Sequence, residues 1–108
     1  AAIQRTLLSP WFYTLFHIDP VPFIRKVKAP FLALNGTLDL QVDALTNLPL
    51  FHNNLIRCND HQTVTVKGVN HLFQECKTGL PQEYGDIDQT MSPHVLSLII
   101  HWLDRHPF

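Results

Sequence analysis

Lys28-Ala29-Pro30-Phe31-Leu32-Ala33-Leu34-Asn35-Gly36-Thr37-Leu38-Asp39 is the stretch that decides how this chain folds. Phe31 to Leu34 are apolar without interruption, with a proline before them and Asn35-Gly36 after them. A short apolar run between turn signals predicts a strand buried on both faces, as in a parallel sheet covered by helices. The strand is expected over about residues 30–35, with Asp39 a few residues beyond its end. A second run, about residues 62–67, alternates Val64 and Val66 with threonines, stops at Gly68 and leads through Val69-Asn70 to His71. Each expected strand therefore delivers one ionisable side chain just past its carboxyl end.

Helix signals surround both strands. Ser9-Pro10 pairs a hydroxyl that caps free amides with a proline whose missing donor costs nothing at the first helical position. Trp11, Phe12, Leu15 and Phe16 follow at helical spacing, a large apolar face expected to pack in a core or cap. Pro20 and Pro22 end that helix, and Phe23 to Val27 adds one turn. Asn47 to Arg57 is expected as a helix with Leu48, Phe51 and Leu55 on one stripe. Ser92-Pro93 opens a last helix, with Val95, Leu96, Ile99, Ile100, Trp102 and Leu103 expected to face the core. Helix, strand, helix, strand, helix is the order of parallel crossover units, so the fold class is α/β. Residues 1–108 read as one unit without an internal boundary. Two strands do not close a sheet, so the first is expected to keep an edge that takes a partner strand or pairs with another copy of the chain.

Composition narrows the partners. With 45% hydrophobic residues in 108, the chain has enough apolar material for one small core. A net charge of -1, 16% charged residues and no basic run leave no electrostatic footprint for nucleic acid or an anionic membrane. No apolar stretch approaches the ~20 residues of a membrane span. Cys58 and Cys76 are expected as reduced or buried thiols, and they leave the compartment open. Seven histidines raise metal binding, but His94 with His101 and Cys58 with Cys76 lack the close ligand pairs of zinc sites. Neither metal nor cofactor is expected.

Chemistry concentrates at Asp39 and His71. In open parallel sheets, ligands and reacting side chains gather at the carboxyl ends of the strands, so the two can meet although far apart in sequence. A carboxylate on one imidazole nitrogen fixes the tautomer and stabilises the imidazolium, leaving the other nitrogen to move protons near neutral pH. The plainer readings are a loop aspartate bonded to turn amides and a histidine without duty. Asp86 and Asp88 compete as the acid, and Asn70 is expected to shape its turn by tolerating positive φ. Ser97, His101 and Asp104 share one helical face, but that face is normally solvated and offers no oxyanion donors.

The run Lys28 to Gly36 with Asp39, the strand ending at Gly68, Asn70-His71-Leu72-Phe73-Gln74, and the last helix from Ser92-Pro93 with Trp102 together resemble the carboxyl-terminal half of the α/β-hydrolase fold, especially esterase-like and dienelactone-hydrolase-like serine hydrolases. The likeness spans about residues 9–106. It implies that Asp39 is the acid after the seventh strand and His71 the base after the eighth, serving acyl transfer from a carboxylic ester, or an amide, to a serine. The family carries that serine earlier in the chain, on a G-x-S-x-G elbow beside an oxyanion hole. Ser9, Ser92 and Ser97 are the only serines here and none has the flanking glycines. The expectation is therefore a carboxyl-terminal fragment of a serine hydrolase, inactive alone and completed by an amino-terminal half; an aspartate or cysteine nucleophile would be a variant on the same fold. The alternative is a non-catalytic binding or structural module, complete in these residues.

Overall fold

The computed structural model describes residues 2–107. Phe31–Gly36 (β1) and His61–Val66 (β2) pair in parallel, in register from Phe31 opposite His61 to Gly36 opposite Val66. Each strand lies one residue from its expected bounds. Pro30 has no N–H to give, so the ladder begins with Phe31 N donating to Asp60 O at 3.0 Å. At the other end, Gly68 turns the chain away at φ 76°.

The two faces of this sheet are covered by different helices, which makes the fold mixed α/β with a small parallel sheet. On one face, Ala33 packs with Ala44 and Leu48 of α4 (Ala44–Asn54), and Phe31 stacks on Phe51 with ring centroids 5.4 Å apart. Ile24 of the short α3 (Val21–Ile24) extends that layer through Leu55 and Cys58. On the other face, Leu34, Val64 and Val66 meet Val69 and the helix α5 (Pro93–Asp104) through Val95, Leu98 and Ile99. Cys58 and Cys76 are both free thiols.

Helix α4 begins three residues earlier than the expected Asn47. Asp43 caps it, its carboxylate accepting from Thr46 N at 3.0 Å. Pro49 then falls inside the helix rather than near its start; the carbonyl it cannot bond belongs to Leu45, which is exposed to water. Helix α5 buries Val95 and half-buries Leu98 and Ile99 beside it, while Leu96, Ile100 and Leu103, expected to face the core, are exposed. The helix is apolar nearly all round, and only one side finds cover.

The amino-terminal pair α1 (Ala2–Leu7) and α2 (Pro10–His17) departs most from expectation. Ser9 caps α2 as read, its hydroxyl accepting from Phe12 N at 3.3 Å. Trp11, Phe12 and Phe16, however, do not pack into a core: Trp11 is 66% and Phe16 71% exposed, and no residue of either helix is buried. The radius of gyration of 16.4 Å exceeds the roughly 13 Å of a compact chain this long. An exposed aromatic face is the kind of surface that marks an interaction site when it is contiguous.

The outer edge of β1 is also uncovered. Phe31 N and Thr37 N bond to the neighbouring strand, so by alternation the backbone groups of Leu32 and Leu34 point away from it. Beside this edge, Pro30, Leu32, Leu34, Phe73, Ile99 and Trp102 line an open apolar groove. No described helix is long and apolar enough to cross a membrane.

Candidate functional site

Three backbone devices bring the loops after β1 and β2 together. Leu38 N donates to Val69 O at 3.1 Å, Thr37 N to Val66 O at 2.9 Å, and Gly68 N to the Thr37 hydroxyl at 2.8 Å. Gly36 permits this approach: a Cβ there would stand 2.2 Å from Val69 O.

Across that junction, His71 Nδ1 donates to the Asp39 carboxylate, 3.0 Å from Oδ2 and 3.1 Å from Oδ1. A proton on Nδ1 leaves Nε2 as the basic nitrogen, and no described residue hydrogen-bonds Nε2. The Asp39 side chain is 7% exposed and that of His71 37%, so the acid is shielded and the base reaches the surface. The sequence-predicted pair is thus brought together. Asp86 and Asp88 are exposed, and the carboxylate that bonds His71 is that of Asp39. His101, expected as a decoy, turns Nδ1 to the Ser97 carbonyl of its own helix at 2.7 Å.

The acid is held by more than the histidine. Asp39 Oδ1 accepts from Gln41 N and Val42 N, both at 2.9 Å, and Oδ2 from Asn35 Nδ2 at 3.2 Å. Burial pushes the carboxyl pKa up, but the Val42 amide, His71 and the Gln41 amide outweigh it and hold the group below its ordinary value. Asp39 therefore stays ionised at neutral pH and the shared proton belongs to the imidazole.

The base sits in a loop built by Asn70, which is fully buried. Its side-chain oxygen accepts from Leu72 N and Gln74 N at 3.0 Å, and its amide donates to Gln74 Oε1 at 3.0 Å. The expected positive φ falls elsewhere, on Phe73 at 57°. Asn70 shapes the turn through its carboxamide, while the strain rests on a bulky residue pinned by Phe73 N donating to Asn70 O at 3.0 Å and Ser92 N to Phe73 O at 2.7 Å. Ser92 starts α5 as read, but its hydroxyl donates to Glu75 Oε1 at 3.2 Å rather than capping the helix.

A third segment braces the acid loop. Gly79, at φ 78°, packs so tightly on Leu38 that a Cβ would lie 2.0 Å from Leu38 O, and Gln41 Nε2 donates to the Tyr84 hydroxyl at 2.8 Å. Glu83 folds this segment by accepting from the Thr78 hydroxyl at 2.6 Å, from Lys77 N at 2.7 Å and from Thr78 N and Gly79 N at 3.0 Å; the hydroxyl first, then the amides, lower its pKa to about 2. No local signal marks Tyr84 or Glu83 in the sequence, and Asn35 shows there only as a turn signal closing an apolar run.

The described residues pair Asp39 with His71 but place no activated nucleophile beside them. The Cys76 thiol is pushed up by burial and by the Glu83 charge, opposite to the shift of a reactive cysteine. Ser92 is buried against Glu75. No described group of three or more His, Cys, Asp or Glu is placed to hold a metal ion. Comparison with protein-family models, with curated proteins and with solved structures finds no match.

Proposed function

We propose that this chain is the base-and-acid portion of an α/β-hydrolase-fold serine hydrolase acting on carboxylic esters. The observation that carries the reading is the contact of Asp39 with His71 Nδ1 at the carboxyl ends of two parallel strands, with Nε2 unengaged. In this reading a serine from an amino-terminal portion attacks the acyl carbon. His71 Nε2 takes its proton and returns it to the leaving oxygen, while Asp39 holds the ring and stabilises the imidazolium without taking the proton itself. The unpaired edge of β1 and the uncovered face of α2 support a piece that packs against further structure over a self-contained binding module. An amide substrate, or an aspartate or cysteine nucleophile, would use the same pair.

Since loss of a triad nucleophile costs about 10⁶ in turnover, the chain alone is expected to hydrolyse nitrophenyl esters no faster than buffer. The deciding experiment is fluorophosphonate labelling of the chain joined to the polypeptide encoded upstream of it. Labelling of a serine there, lost in His71→Ala and strongly slowed in Asp39→Asn, is the expected result. An upstream segment without a nucleophile elbow, or labelling indifferent to His71→Ala, refutes the proposal.

A further inference from the structure

We propose that Asn35 is a positioning residue for the acid–base pair: its buried carboxamide, at the end of β1, fixes where the Asp39 carboxylate points. This deepens the hydrolase reading and rests on Asp39 being the orienting acid of His71. Asn35 is 5% exposed and occupies the strand face on which Phe31 and Ala33 pack against α4. An apolar side chain would suit that position, and a buried carboxamide is costly unless its hydrogens are used. Both are used on the acid loop: one goes to Asp39 Oδ2 at 3.2 Å and the other to Val42 O at 3.0 Å.

The division of labour on the carboxylate is what assigns the role. Gln41 N and Val42 N hold Oδ1, which His71 Nδ1 also reaches at 3.1 Å. These bonds leave the group able to pivot about Oδ1. Oδ2 has two partners, Asn35 and His71, and His71 is the group to be oriented. Asn35 is therefore the anchor of Oδ2 that is independent of the base. Through Val42 O the same amide closes the loop from its far side, so acid and loop are tied to the rigid end of the strand.

The test follows the Nδ1 proton of His71 by NMR in the full 15N-labelled chain. In Asn35→Ala, exchange of that proton with water is expected to accelerate about tenfold, the effect of losing one hydrogen bond to a charged group. Asn35→Asp keeps the shape and replaces the donor by a carboxyl group. Buried beside the Asp39 anion, the new group holds its proton above the ordinary aspartate range. Its ionisation then repels Asp39, and the Asp39–His71 contact carries this to the His71 proton signal as a shift at the same midpoint.

Unchanged exchange in a folded Asn35→Ala chain, with no such shift in Asn35→Asp, overturns the proposal. If a variant does not fold, the wild-type carboxamide reports instead. Its hydrogen facing Asp39 should move upfield as pH falls through the Asp39 titration, and a resonance indifferent to that titration overturns the assignment equally. Failure here leaves fluorophosphonate labelling through His71 untouched. Failure of that labelling with the Asn35 signals intact removes the hydrolase and keeps the coupling, so the two readings fail separately.

Discussion

Replacing Gly36 by alanine should separate the acid loop from the base loop. The backbone at Gly36 does not lie in the left-handed region, so alanine meets no torsional penalty there; the obstacle is Val69, 1% exposed, whose carbonyl oxygen would stand 2.2 Å from the new methyl. Ordinary contact begins at 3.4 Å, so the two loops must part by more than 1 Å, and Val69 cannot retreat into a filled core. Overpacking of this kind costs about 1–3 kcal/mol, and the same movement strains the Leu38 N to Val69 O bond. At about 4–8 °C per kcal/mol for a domain of this size, a mid-range cost of about 2 kcal/mol lowers the melting temperature by about 10 °C. Circular dichroism melts of Gly36→Ala against Gly85→Ala give the comparison, since nothing lies within 4 Å of a Cβ at Gly85. If both variants melt within about 2 °C of the parent, the close approach at Gly36 does not hold the loops together and the reasoning fails.

Three further outcomes test other parts of the structure. Glu83 has its pKa lowered to about 2, so its stabilisation is present above its unfolded value and lost as pH falls toward about 2; Glu83→Gln should melt earlier than the parent at pH 6, and a deficit persisting at pH 2 contradicts this. His106 points Nε2 at Asp60 Oδ2 and Nδ1 at Trp102 O, both at 2.7 Å, and both bonds raise its pKa. Its contribution is full below the unfolded histidine value and fades as pH rises through the folded one, so melting of His106→Ala should approach that of the parent at pH 9; an equal deficit at pH 5 and pH 9 rejects the clasp. Light scattering at about 100 µM should show self-association that Leu32→Lys disrupts, because a lysine at the open edge of β1 opposes strand pairing; a monomeric parent at that concentration rules the edge out as a contact between copies.

How far the sequence revealed this fold depended on whether each signal was local. Pro30 precedes β1 and Gly68 follows β2, because a missing donor or a positive φ acts on the residue that carries it, whereas Asn35-Gly36, a turn signal in the sequence, forms the last two residues of β1. The caps at Ser9 and the start at Ser92 were legible for the same reason. Where two local signals competed, reading failed: Pro49 resembles a helix start, yet Asp43 caps earlier and the proline is carried inside, four residues after the exposed Leu45. Apolar patterning shows that a face wants burial, not that it obtains it. Trp11 and Phe16 on α2, and Leu96 and Ile100 on α5, have the composition of core residues and stand in solvent.

The meeting of Asp39 and His71 was legible for a different reason. Parallel pairing sends both strands to the same rim, so two polar residues shortly after their ends converge whatever fills the loops between. What could not be read is the support. Asn35 shows its role only once Asp39 has curled back over the strand end, and Gln41 only once Tyr84, 43 residues away, is beside it. Such contacts depend on loop conformations that no periodicity encodes. Yet they decide what the pair can do: a histidine near an aspartate is common, whereas a carboxylate gripped on both oxygens, with the far imidazole nitrogen left open, is an arrangement suited to moving a proton to and from a third group. The chemistry of the site therefore rests as much on these hidden donors as on Asp39 and His71.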